Sequence, residues 1–449
     1  MATGLRRILG LGFGLALVFG GTVGVGILRL PGQLAAALGD AHLVILCWIL
    51  GGAYALLGAV SVAELAAMLP QAGGFYVYAR RAFGNGIGFV VGWSDWLNQV
   101  AALAYAAITT MTFLGELWPP AAEYTRSGSV LLVGGFTALH WEGLRISSSV
   151  TRVISVLVGL AMLVLVLGCL GFAPAAARSA PLPLTAATLP LLSAGMAIAL
   201  VSALRAVLLA YDGWYSCIYL AEESTDPAHT LPRSLIGGTL VVVGLYVAIN
   251  VALLRALPLA ALAASNFPAA DAARSRLPRG GATIITVISV LTLLSLMNAI
   301  LLMTPRILLA IGRDGFFTAK AATVSAGGTP RVALALTSLA TVILVLSGTF
   351  EEIVALAAVL FVLLYIAAYA AVFTLRLKEP ALSRPYRAWG YPYTTAIVLL
   401  GSLAMLIAQI VIDPHAGAWA ATVLLICVPL YAWTARRRRV AGKPLTGLE

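Results

Sequence analysis

From Leu9 almost to the C-terminus, apolar runs long enough to cross a bilayer follow one another with only short polar loops between them. A hydrocarbon core ~30 Å thick needs about 20 apolar residues per helical span, so a chain built this way takes lipid rather than water as its main solvent. Spans are expected near 9–36, 43–69, 86–115, 129–145, 150–173, 190–222, 234–256, 282–310, 331–348, 352–376, 393–412 and 416–434, twelve in all. Composition agrees: 61% of the residues are hydrophobic and 10% charged, against about 45–50% apolar and ~25% charged in soluble domains. A transmembrane β-barrel would alternate apolar and polar residues over segments of about ten, whereas Leu157 to Leu167 contains no polar residue at all. The expected class is therefore an all-α membrane protein.

The net charge of +11 does not mark a nucleic-acid partner, because the basic residues fall mostly in alternate loops. Arg6, Arg7, Arg80, Arg81, Arg145, Arg152, Arg233, Arg306, Arg313, Lys320, Arg331, Arg376, Lys378, Arg384, Arg387, Arg436 to Arg439 and Lys443 lie on one side of the expected membrane. The positive-inside rule makes that side cytoplasmic, with both termini there. Arg274, Arg276 and Arg279 dissent from the loop 257–281, but long, late loops weigh less. Arg6 and Arg7 ahead of an apolar run are read as the flank of a retained first span, since no convincing cleavage site follows. The expected location is a bacterial-type inner membrane. Cys47, Cys169, Cys217 and Cys427 all fall within spans and lack metal-ligand spacing, so neither a disulfide framework nor a metal site is expected.

Two spans carry the chemistry. The first places Gly20, Gly21, Gly24 and Gly26 ahead of Pro31 in mid-membrane, and each glycine costs about 1 kcal/mol of helix propensity. The alternative use of Gly20 and Gly24 is close helix packing through a small-xxx-small pair. The sixth span is interrupted at Leu209, Ala210, Tyr211, Asp212, Gly213 and Trp214, with apolar residues continuing on both sides. An interfacial Tyr/Trp anchor would not sit so deep, and an intramembrane Asp is a functional candidate by default.

Paired breaks in spans 1 and 6 are what an inverted repeat predicts, with 1–173 and 174–378 as equivalent halves around a midplane site and 379–449 holding the last two spans and a basic tail. N–H groups freed at Gly24, Val25 and Gly26 would hold a carboxylate at a positive helix end. Carbonyls near Thr22, Val23, Leu209 and Ala210 would take an ammonium. Together these suit a zwitterionic α-amino acid.

The motifs then resemble a known family. Gly21 to Ile27 (GTVGVGI) is similar to the glycine-rich first helix of the amino acid-polyamine-organocation superfamily, and Ala63 to Gly84 (AELAAMLPQAGGFYVYARRAFG) to its second span and following loop. Tyr211 to Trp214, Glu222 to Pro227 and Leu231 to Arg233 resemble the break and exit of its sixth helix, especially in bacterial relatives of L-type amino acid transporters and serine/threonine exchangers. Asn298, Arg306, Arg313 to Gly315, Thr329 to Arg331 and Arg384 to Pro392 extend the likeness, which spans roughly residues 10–395. The resemblance implies two inverted five-helix repeats with discontinuous helices 1 and 6, two peripheral helices, alternating access, and contact of Gly24, Val25 and Gly26 with the substrate carboxylate. It aligns the family's bulky gate with Leu209. Many members carry a span-5 lysine that residues 153–173 lack, which leaves Na⁺ or H⁺ as a coupling ion open, with Gly21, Gly24, Thr292 and Ser295 as the candidate cation site.

Asn98 and Gln99 of span 3, Asn298 and Ile300 of span 8, and Ile27, Tyr211, Asp212 and Gly213 are the candidates for the side-chain pocket; Asn98 and Gln99 could equally serve only to hydrogen-bond between helices. Polar amides beside small apolar groups favour neutral amino acids. Arg29 and Arg205, in the outer halves of the broken helices, are candidate vestibule residues. They open an alternative in which the substrate is acidic, and Arg205 would reach Asp212 seven residues on if the helix were continuous. Glu64 is expected to brace helices, and Glu222 or Glu223 to meet a basic residue. His140 and Glu142 form a candidate titrating pair, with a structural histidine preferred. Scattered histidines and the lack of a nucleophile or zinc motif argue against an enzyme. A channel is disfavoured because no long polar face recurs, while a transporter-derived sensor stays open. No cofactor, no protein partner and a monomer or weak dimer are expected.

Overall fold

The structure is a computed structural model that describes residues 4–171, 194–276, 280–347 and 350–440. The start of the expected sixth span, the boundary between the two halves at 173/174, Arg279 and Lys443 lie outside the described residues. In chain order the helices are α1 (Leu11–Thr22), α2 (Gly26–Leu38), α3 (Ala41–Met68), α4 (Phe75–Phe83), α5 (Asn85–Leu117), α6 (Thr125–Trp141), α7 (Leu144–Gly171), α8 (Ala194–Ala210), α9 (Pro227–Ala256), α10 (Leu259–Ala264), α11 (Pro268–Arg276), α12 (Gly281–Arg313), α13 (Arg331–Ser347), α14 (Phe350–Lys378), α15 (Tyr393–Ile412) and α16 (Pro414–Val440). A 3₁₀ segment, Ser216–Glu223, follows α8 after its break. Among the described residues the only extended pairing is an isolated bridge between Leu9 and Ser224.

Eight helices are long and apolar enough to cross a membrane among the described residues, or up to nine when α1 and α2, bent by 45° at their break, count as one span. α8 and α13 are apolar but shorter. α6 has 17 residues, so at ~1.5 Å per residue it falls short of the hydrocarbon thickness. Length alone therefore supports fewer spans than the twelve expected.

Local sequence explains the tight joint between α2 and α3. Gly39 takes the left-handed conformation at φ 63° and closes α2, and the Asp40 carboxylate accepts from the N–H groups of His42 and Leu43 to open α3. α7 shows how a helix faces lipid. Val153, Val156, Leu160, Leu163, Val164 and Leu167 are exposed, while Thr151, Ser155, Val158, Met162 and Cys169 are buried on the opposite face. Burial also ranks the helices: 67% of the α12 span is enclosed by protein, against 22% for α15 and 17% for α16, which makes the last two peripheral. α1 is central, packing on α9, α7, α12 and the 3₁₀ segment.

The acids flagged in the sequence brace the end of the molecule where the N-terminal segment lies. Glu64 is 1% exposed, takes Arg376 in a two-pronged contact at 2.8 and 2.5 Å, and also accepts from the Ala388 N–H at 2.6 Å. Glu222 meets Arg313 at 2.7 Å, and the fully buried Glu223 meets Arg306 at 3.0 Å. The Glu223 carbonyl accepts from the N–H groups of Ile8 and Leu9, pinning the entry to α1 on the exit of the 3₁₀ segment. His140 and Glu142 form no ion pair among the described residues; His140 is buried and its carbonyl accepts from Thr329.

Candidate functional site

Both expected interruptions are present, and they touch. α1 ends at Thr22, whose hydroxyl turns back to the Val18 carbonyl at 2.7 Å, and Val23 leaves the helix in an extended conformation before α2 restarts at Gly26. α8 ends at Ala210, and Gly213 bends the chain with φ +102°. A side chain at Gly213 would sit 2.1 Å from the Gly21 carbonyl oxygen, and one at Gly21 would sit 2.1 Å from the Ser216 hydroxyl. Glycine at both positions is what lets the two openings meet backbone to backbone. The Tyr246 hydroxyl of α9 joins them, lying 3.0 Å from the Thr22 carbonyl and 3.2 Å from that of Ala210. Two carbonyls expected to be free for an ammonium thus already have a donor.

Beside this joint lies a cavity of about 310 Å³, at the lower end of the ~300–1,000 Å³ of small-molecule sites. Its wall includes Gly21, Thr22, Gly24, Val25, Gly26 and Leu30 from the first break, Leu209, Ala210, Asp212, Gly213 and Tyr215 from the second, Asn98, Gln99, Ala101, Ala102 and Tyr105 from α5, Leu293, Leu296, Ile300 and Met303 from α12, and Phe361 from α14. Apart from Leu28, whose N–H donates to the Val25 carbonyl at 3.0 Å, the first-turn N–H groups of α2 have no partner within their own helix, so the Val25 and Gly26 end presents donors and a positive helix end. Among the described residues Asp212 is the one carboxylate in the wall, and no Lys, Arg or His lines it.

Several candidates lie elsewhere. Val23 and Ile27 are buried in packing and do not line the cavity. Tyr211 turns the other way, donating to the Trp48 carbonyl at 3.1 Å and packing edge-on against Trp48 and at a tilt against Tyr246. Asn298 donates to Thr151 of α7 at 2.7 Å and faces away. Neither arginine lines the wall: Arg29 lies over the rings of Phe113 and Phe267, at 4.8 and 5.4 Å, and Arg205 donates to Gln409 at 2.9 Å instead of reaching Asp212. The helix ends at Ala210, so the seven-residue periodicity that would have joined Arg205 to Asp212 is lost. The proposed cation ligands are dispersed. Ser295 sits beside Gly20 and Ser155, Gly21 faces Gly213, Gly24 faces the cavity, and the Thr292 hydroxyl is turned to Ile288. Among the described residues no cluster of His, Cys, Asp or Glu could hold a metal.

Sequence reasoning missed the layer behind the wall. Tyr365 of α14 donates to Asp212 at 2.5 Å, and Tyr215 to its other oxygen at 3.3 Å. One step deeper, the wholly buried Asp95 of α5 takes the Tyr219 hydroxyl at 2.9 Å on both oxygens. Phe75 of α4 packs against Tyr215, Tyr219 and Tyr365. Asp95 carried a signal, an acid inside an apolar run; Tyr246 and Tyr365 are brought in only by tertiary packing.

Comparison with known proteins now bears on this arrangement. The amino acid permease family profile matches residues 14–431. The serine/threonine exchanger SteT of Bacillus subtilis is 25% identical over 442 residues, covering 97% of this chain and 98% of SteT. The branched-chain amino acid permease BcaP of the same organism is 25% identical, over 90% of this chain and 88% of its own length. The mouse Asc-type amino acid transporter 1 is likewise 25% identical, over 95% and 81%. These relatives are transporters and permeases, not enzymes. With a broken first helix, a glycine-lined joint and a family match across nearly its whole length, the chain belongs to the amino acid permeases of the amino acid-polyamine-organocation superfamily.

Proposed function

We propose that this protein is a secondary active transporter of neutral L-amino acids of small to medium size, working by alternating access. The observation that carries the reading is the cavity itself: helix-start N–H groups on one side, the Asp212 carboxylate on another, and a mostly apolar remainder that includes the amides of Asn98 and Gln99. The N–H groups of Gly24, Val25 and Gly26 suit the α-carboxylate, and Asp212 suits the α-ammonium. Gln99 and Asn98 then meet the side chain beside Ile300 and Leu296. A neutral substrate is favoured over glutamate or aspartate because the only charged wall group among the described residues is an acid, while Arg29 and Arg205 are engaged elsewhere.

The architecture we propose is twelve spans, with α1 to α7 and α8 to α14 as inverted repeats and α15 and α16 peripheral, in a bacterial inner membrane with both termini cytoplasmic. The basic loops support that orientation. Exchange is the favoured mode, since a relative matched over nearly the whole of both chains is named as an exchanger, with Na⁺- or H⁺-coupled symport as the other. Counterflow in proteoliposomes against a panel of amino acids tests the reading: exchange of serine, alanine or leucine is expected, and a protein that binds but never exchanges is a sensor. Equal uptake with choline in place of sodium removes sodium coupling.

A further inference from the structure

We propose that Arg29 is an outer docking site for the carboxylate of an arriving amino acid, and that it screens out amines that carry no carboxylate. The proposal rests on the transport reading above and adds to it an earlier contact of the same substrate, outside the central cavity.

The position of Arg29 follows from the helices around it. The loop that carries Phe267 joins the C-terminus of α9 to the N-terminus of α12. It therefore lies at the opposite end of α12 from Arg306 and Arg313 and the acids they hold. α5 starts beside α4, whose Arg80 pairs with Asp314 at the C-terminus of α12, and runs toward the loop. Ala102 of α5 lines the cavity, and Phe113 comes eleven residues later. That is about 16 Å along the helix with a rotation of only about 20°. On α2, Gly26 and Leu30 line the cavity and Arg29 lies one turn beyond Gly26. A side chain at Gly32, one turn further, would meet the Ser265 and Leu262 carbonyls at 2.6 and 2.9 Å, so α2 is pressed directly onto the loop. Arg29 thus stands beyond the cavity, on the side away from the N-terminal segment.

Its surroundings are those of a cation in waiting. The guanidinium carbon lies 4.8 Å from the Phe113 centroid and 5.4 Å from that of Phe267, and the two rings are 5.5 Å apart. Its Nε is buried with no hydrogen-bond partner, and among the described residues no acid meets it. The acid of α11, Asp271, is taken by Arg274 at 2.8 Å and by the Ser265 hydroxyl at 2.5 Å. At the other end of the molecule Arg306, Arg313 and Arg376 each hold a carboxylate. Ring faces attract a cation, but they offer no planar pair of acceptors for the guanidinium fork, and a carboxylate does.

A zwitterion entering from this side meets Arg29 first. Its carboxylate can then pass one turn down α2 to the N–H groups of Val25 and Gly26, while its ammonium goes to Asp212. The order of charges matters. Asp212 alone favours any ammonium, so a cation met before it turns bare amines away and admits molecules that bring an anion.

The test uses the full-length protein in right-side-out and inside-out membrane vesicles, with counterflow of L-serine, L-alanine and L-leucine as the readout. The probes are 4-methylpentanoate, which has a carboxylate and no ammonium, and 3-methylbutylamine, which has the reverse. In the wild type the carboxylate is expected to inhibit more strongly from the outer face, the one that carries Ser265. R29Q is expected to lose that difference, to raise the outer-face KM about tenfold relative to the inner-face KM, the factor of one charge-assisted hydrogen bond, and to let the amine inhibit from outside. R29K keeps the charge and is expected to restore exclusion of the amine. F267A removes one ring that competes for the guanidinium, so outer-face inhibition by the carboxylate is expected to strengthen about threefold. Should R29Q not fold, the sidedness of the wild type and the F267A shift decide. An arginine that only braces α2 would move the two KM values together and leave the amine excluded. That result, or equal inhibition by the carboxylate from both faces of the wild type, overturns the docking site and leaves transport standing. Absence of counterflow for every amino acid overturns the transport reading beneath it.

Discussion

Gly213 combines two constraints that no other residue type meets. Its φ of +102° excludes an ordinary side chain, and a methyl group there would meet the Gly21 carbonyl at 2.1 Å. The backbone term alone is worth about 1–3 kcal/mol. Gly213→Ala is therefore expected to abolish uptake and lower thermal stability, which a substrate-protection melt in detergent would read. Tyr246→Phe is milder. It leaves the Thr22 and Ala210 carbonyls without their donor, a penalty of about 1–3 kcal/mol, and is expected to weaken amino acid binding about tenfold or more, measured by the concentration dependence of counterflow. The glycines of both breaks were legible in the sequence because a run of poor helix formers in mid-membrane has few other uses. The tyrosine that clips them together was not, because nothing local distinguishes Tyr246 from any other aromatic in an apolar helix.

Among the elements, helix phase decides which of the candidate residues line the cavity. Leu293, Leu296, Ile300 and Met303 recur at spacings of three and four and form the cavity face of α12. Asn298 lies two residues from Ile300, about 200° around the helix, and so meets Thr151 of α7. Polarity suggested it as a ligand; rotation assigns it to a helix–helix contact. Asn298→Ala is accordingly expected to lower the melting temperature while leaving the ranking of substrates in a competition assay unchanged. Arg205 fails for the complementary reason. Its reach to Asp212 presupposed a continuous helix, and α8 stops at Ala210. Asn98 and Gln99 line the cavity on α5, which is uninterrupted from Asn85 to Leu117.

At the level of the whole molecule, Glu64 joins α3 to α14 and to the loop at Ala388, while Glu223 joins the 3₁₀ segment to α12. Both clamps lie at the end that holds the N-terminal segment, which the proposed orientation makes the cytoplasmic one. A cysteine introduced at Gly4 is expected to react with a membrane-impermeant maleimide only after the membrane is opened, and one at Ser265 in intact cells. The reverse pattern would invert the topology. Background labelling is expected to be low, since Cys47, Cys169, Cys217 and Cys427 are all buried. The number of spans was less legible than their existence, because α6, α8 and α13 are shorter than a full crossing and hydropathy marks a segment as apolar more surely than as spanning.

Tyr246 comes from the later half of the chain, yet one of the two carbonyls it holds belongs to the earlier half. A hybrid protein whose front portion is borrowed from a distant relative must therefore inherit a peptide oxygen at the same height and angle as Thr22, or the rivet has nothing to fasten. Crossover points that keep residues 11–22 and 227–256 from one parent should yield working hybrids far more often than those that divide them.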